Sequence, residues 1–194
     1  TQTISGKEVY PRPVQDKLPL WIATGGHVES TVKIAQAGLP IVYAIIGGNP
    51  RYFKKLIQAY REIGSEAGHA SHELKVGAHS WGWIAEDGEQ AAKDYFHPTK
   101  QVVDAISKDR PHWQELTYEQ YLEQVGPNGA MFVGNPDQVA EKLIRMIEDL
   151  DLDRFMLHLP LGSMPHDQVL RAIELFGTQV APKVRAYFAM KEGL

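Results

Sequence analysis

Residues 39–46, Leu39-Pro40-Ile41-Val42-Tyr43-Ala44-Ile45-Ile46, closed by Gly47-Gly48-Asn49-Pro50, decide how this chain is built. A near-continuous apolar run of that length, stopped by turn residues, reads as a parallel strand covered on both faces. A strand with one wet face would alternate instead. Upstream, residues 18–23 (LPLWIA) form a shorter run of the same kind, ended by Thr24-Gly25-Gly26. Between the two runs the pattern predicts a helix over 29–37, with Val32, Ile34 and Ala35 on its apolar side and Gly38 as its stop. Downstream, Phe53, Leu56, Ile57, Tyr60 and Ile63 recur at helical spacing, predicting a helix over 50–67.

The unit then recurs towards the C-terminus. A strand is expected over 74–85 and a helix from 89 to about 107. A helical insertion follows at about 108–130, holding a short helix over 117–125 and a turn at Gly126-Pro127-Asn128-Gly129. After Met131-Phe132-Val133-Gly134 comes the clearest helix start in the chain. Asn135 can cap, Pro136 suits the first helical position and Gln138 can close a capping box. Val139, Leu143, Met146, Ile147 and Leu150 form its core stripe. A last strand over 154–160 ends near Gly162. The final helix carries Val169, Ile173, Phe176, Val180, Val184 and Phe188, with a bend expected at Pro182. Residues 1–18, broken by Pro11 and Pro13, read as irregular.

Four βα units in one domain, residues 1–194, make an α/β protein with a parallel sheet. Two architectures fit: an open doubly wound sheet, or part of a (β/α)8 barrel. A complete barrel takes about 250 residues and eight strands, and this chain supplies about half of that.

Composition narrows the function classes. Hydrophobic residues make up 43% and charged residues 23%, as in an ordinary globular domain. A net charge of −4 with scattered Lys and Arg argues against nucleic acid as a partner. The apolar run 39–46 is far shorter than the roughly 20 residues of a membrane-spanning helix, so no membrane span is expected. There is no cysteine, which excludes disulfides, thiolate metal sites and a cysteine nucleophile and fits a cytoplasmic location. The chain starts at Thr1 rather than Met, so further residues are expected upstream.

In both parallel architectures ligands bind at the carboxyl ends of strands. Thr24-Gly25-Gly26, with Ser30 in the following helical turn, is a candidate phosphate cradle. Glycines let backbone N–H groups approach, and a helix N-terminus carries partial positive charge. Glu29 opposes this unless its side chain turns outward. Gly47 and Gly48 are a second candidate, for which a plain turn competes. His79, Trp81 and Trp83 near the third strand's end, and His158 near the fourth, could face a ligand or fill the core. His69 and His72 have metal-ligand spacing but sit in a loop with no third ligand nearby. Glu141 and Arg145 read as a solvated pair on a helix face. No Walker loop, G-x-G-x-x-G or G-x-S-x-G is present.

Four stretches together resemble the C-terminal half of the luciferase-like, flavin-dependent monooxygenase family. They are PRPVQDKLPLWIATGGHVES with AGLPIVYAIIGG, then KVGAHSWGWIAEDGEQAAKDY, then MFVGNPDQVAEKLIRMIEDLDLDRFMLHLP, and the terminal ELFGTQVAPKVRAYF. The resemblance implies half of a TIM-type (β/α)8 barrel. It implies FMN as cofactor, or alternatively a deazaflavin coenzyme, with NAD(P)H as a reductant and a small molecule as substrate. By position it assigns cofactor binding to Thr24, Gly25, Gly26, Ser30, Gly47 and Gly48. The first four barrel strands, which carry much of the family's chemistry, have no counterpart here, so no catalytic residue carries over. A homodimer, or completion by an N-terminal half, is the expected assembly; a non-catalytic half-barrel that binds flavin is the alternative.

Overall fold

The computed structural model describes residues 5–6, 8, 10–110 and 114–193. Strands β1 (Ile22–Thr24), β2 (Ile41–Ala44), β3 (Val76–Ile84), β4 (Phe132–Gly134) and β5 (Arg154–His158) are all parallel. Helix α1 (Val28–Gln36) joins β1 to β2. A 3-10 turn, Pro50–Phe53, and helix α2 (Lys54–Glu66) join β2 to β3. Helices α3 (Gly88–Asp109) and α4 (Tyr118–Val125) precede β4; α5 (Pro136–Leu150) leads from β4 to β5. Helix α6 (His166–Leu175), a π-helical turn at Phe176–Val180 and α7 (Ala181–Glu192) end the chain.

The nine-residue β3 organises the sheet. It pairs with β2 along 76–79, with β5 along 77–81 and with β4 along 82–84. Since β2 and β5 overlap along β3, they lie on its opposite edges, and β1 extends the sheet beyond β2. Gly82 is required where β4 joins: a Cβ there would stand 2.4 Å from the Phe132 carbonyl oxygen and 2.6 Å from Leu157. Ile41, Tyr43, Val76 and Ala78 share one face of the sheet and are fully buried in the core cluster with Ile34, Ile57 and Tyr60 of α1 and α2. Each large side chain buried this way contributes about 2 kcal/mol.

The other face is thinly covered. Along β5, Arg154, Met156 and His158 are exposed while Phe155 and Leu157 pack on the core. Helices on one face of a parallel sheet make a barrel wall; an open doubly wound sheet has them on both. The uncovered face carries two layers of side chains. Trp21, with the Arg154 guanidinium 4.6 Å above its ring, lies beside Val42 and Gly77. One step along, His79 and His158 face each other with ring centroids 5.7 Å apart. Among the described residues β1, β4 and β5 each pair with one strand only, and Leu20 (56%) and Ile22 (37%) stay exposed.

Local sequence accounts for the helix ends. Thr117 and Asn135 both close complete capping boxes, with Gln120 and Gln138. Near Pro182 the expected bend is a π-helical turn: Ala181 N–H reaches back to the Phe176 carbonyl, and Pro182 has no N–H to continue the regular ladder. Where the sequence sets off an insertion at 108–130, the structure groups α3 with α4 and β4 from Gly88 onward. The helix that packs on α2 and α7 in the outer layer is α5. Meanwhile α3 runs beside the strand ends, its Pro98 and Gln101 next to Gly162 after β5.

Candidate functional site

The turn from β1 into α1 is open. Thr24 Oγ1 accepts from Gly26 N–H at 3.4 Å, holding the bend tight. Gly26 adopts φ +97°, which favours glycine, with Phe53 packed against it. A Cβ at Gly25 would meet nothing within 4 Å, so the chain here borders free space. His27 stands at the N-cap of α1 without a side-chain capping hydrogen bond. The first N–H groups of α1 are therefore left to a ligand or water. Thr31 fixes the helix start: its hydroxyl donates to the His27 carbonyl and lies 3.2 Å from the Tyr43 hydroxyl on β2. Glu29 does turn outward, into an exposed ion pair with Lys33. Ser30 is half-buried in the same first turn.

The turn after β2 differs. Gly47 and Gly48 also border free space, but the helical turn behind them is already capped. Asn49 accepts from Arg51 N–H through its side chain at 3.0 Å and from Tyr52 N–H through its carbonyl. Beside Gly47 and Gly48 lies a cavity of about 450 Å³, lined by Trp81, Met131 and residues of the α3–α4 region.

Of the two indoles near the end of β3, Trp83 stacks on Tyr95 of α3 (5.9 Å, 8°) in the core, whereas Trp81 lines that cavity. Burial, and secondarily the neighbouring His158, hold the His79 imidazole below its ordinary pKa. After β5, Leu159 and Leu161 are buried, and α6 starts at Pro165 without a side-chain cap. His69 does other work: its Nε2 lies 2.9 Å from the Gln36 carbonyl and its ring fills the space over Gly38, at the opposite end of the strands. No group of three or more candidate metal ligands occurs among the described residues. Glu141 and Arg145 are both exposed and form no ion pair among the described residues.

The residue missed in sequence is Lys142. Its Nζ donates to the carbonyls of Val125 (3.1 Å), Gly126 (2.7 Å) and Met131 (2.6 Å), tying the C-terminus of α4 to α5. Burial, with the Arg145 charge nearby, pushes it down to about 7. A signal existed: Lys142 falls three residues after Val139 and four before Met146, on the apolar stripe, where a lysine needs buried acceptors.

No helix among the described residues is long and apolar enough to cross a membrane. A model of the luciferase-like monooxygenase family matches residues 2–153. No curated protein sequence matches the chain. Among solved structures, the monooxygenase RslO1 from Streptomyces bottropensis is 20% identical with a TM-score of 0.72, over 89% of this chain and 50% of that one. The coenzyme F420-dependent tetrahydromethanopterin reductase from Methanopyrus kandleri is 18% identical at TM-score 0.59, over 85% of this chain and 50% of that one. The oxygenating constituent of 3,6-diketocamphane monooxygenase of Pseudomonas putida, solved with FMN, is 18% identical at 0.55, over 84% of this chain and 48% of that one. At these identities the likeness is one of fold, and the chain spans about half the length of each of these proteins.

Proposed function

The chain belongs to the luciferase-like monooxygenase family, folded as the C-terminal half of its barrel, and on that premise we propose that it serves a flavin-dependent oxidoreductase. The cofactor is FMN, with a deazaflavin as the alternative, since both classes occur in the names of its structural neighbours. One observation carries the reading: the uncapped start of α1 beside the open space at Gly25. That arrangement suits a phosphate, which accepts backbone N–H bonds and complements the helix dipole. Thr24, Gly25, Gly26 and Ser30 would hold it, with Gly47 and Gly48 as secondary backbone contacts.

When bound, the flavin supplies the electron and oxygen chemistry, and NAD(P)H is a suitable reductant. The protein's share is to bind and orient. The first turn of α1 fixes the phosphate, Thr31 and Tyr43 hold that turn against β2, and the face bearing Trp21, His79 and His158 borders the reaction space. This face and the free strand edges need a cover, because unpaired edges recruit other strands. We assign that cover to four further barrel strands, from an N-terminal segment or a second chain. A homodimer follows the same logic at the level of whole barrels. Were the half-barrel to bind flavin without turnover, it would be a binding module instead.

The test is direct. Purified protein, with the completing half present, is titrated with FMN and followed by flavin absorbance and fluorescence. Saturable quenching and a shifted visible spectrum are expected. Absence of both with FMN and with the deazaflavin sinks the proposal.

A further inference from the structure

The cavity beside Gly47 and Gly48 has a chemistry that the cofactor's phosphate does not explain. Its apolar wall is Ile46, Trp81, Val103, Leu116 and Met131. The rest of its lining is polar, and among the described residues its one charge is the Glu123 carboxylate on α4. Glu123 is exposed and forms no ion pair among the described residues, so its charge is uncommitted. Beside it Gln124 Oε1 is buried without a hydrogen-bond partner among the described residues. A buried acceptor left unpaired costs about 1–3 kcal/mol, so a ligand N–H placed against it would be stabilised. The side-chain oxygen of Gln120 already accepts from the Thr117 N–H.

Among the described residues that line the cavity, an anion would meet Glu123 with no cation to compensate it. An apolar body fits against Trp81, and a cationic or N–H-bearing head fits Glu123. We infer that the cavity binds a small organic amine, its ring or chain packed on Trp81 and its ammonium group towards Glu123, as the substrate-side pocket of the strand-end site. Naming it the substrate side rests on the flavin-dependent reading; the binding itself does not.

Phenethylamine and hydrocinnamate test this, because they share a ring and a two-carbon chain and differ in the sign of the head group. Calorimetric titration of the full chain should show the amine binding about tenfold tighter than the acid, a preference within reach of one partly exposed charge. Glu123→Arg, at an exposed position, should reverse the order, with circular dichroism confirming the fold. Equal or tighter binding of the acid to the unaltered chain overturns the inference. So does an unchanged order in Glu123→Arg, or no saturable binding of either probe. Flavin titration of the same samples separates the two ideas: loss of flavin binding with amine selectivity intact counts against the oxidoreductase alone.

Discussion

Two glycine turns, Thr24-Gly25-Gly26 and Gly47-Gly48, follow neighbouring parallel strands and read almost alike. The helix behind the first begins at His27 with no side-chain cap; the turn behind the second is closed by Asn49. The same division runs through the chain: the helix starts at Asp87, Thr117 and Asn135 carry side-chain caps, whereas α6, after the edge strand β5, does not. A capped helix end has spent its donors on the protein; an open one keeps them for a ligand. On the proposed reading, what separates a binding turn from a structural one is the residue after the glycines.

Placing a carboxylate in each turn strains that comparison most. Gly25→Glu and Gly47→Glu both point into free space, so both variants should fold. The first should weaken FMN binding about a hundredfold, by repulsion of the phosphate near a helix start. The second should weaken it tenfold or less, and equal losses would erase the distinction. Ser30→Ala should weaken FMN binding about tenfold by removing one hydrogen bond to a charged group, read by fluorescence titration. Exchanging the caps gives a smaller effect. Asn49→Ala should destabilise the fold by about 1 kcal/mol in urea and leave flavin affinity nearly unchanged, while His27→Asp should stabilise it by about 0.5–1 kcal/mol and weaken flavin binding.

The smallest effect concerns the face beneath the turns. His79 has a lowered folded-state pKa, so the unfolded chain binds its proton more readily. Stability should be at its full value above the ordinary histidine range and fall as pH drops through about 6.5. His158→Gln should shrink that fall, because His158 is part of its cause. Urea midpoints at pH 7.5 and 5.5 measure both; an identical fall in the variant would show the pair uncoupled.

Much of the fold was legible in residues 18–46, because a buried parallel strand must be apolar on both faces and must stop at a turn. The capping boxes at Thr117 and Asn135 were equally legible, since they are fixed by residues three apart. Lys142 was legible only in retrospect: its acceptors lie on α4 and before β4, 11 to 17 residues away.

By itself the sequence determined the parallel sheet, four of its five strands and the strand ends where ligands gather, because periodicity and turn chemistry act over a few residues; the short β4 reads there only as the run before a helix start. Tertiary structure alone decided which turn borders open space, which indole lines a cavity and which histidines meet. Those depend on what lies across the space between elements, and neighbouring residues in the chain do not encode it.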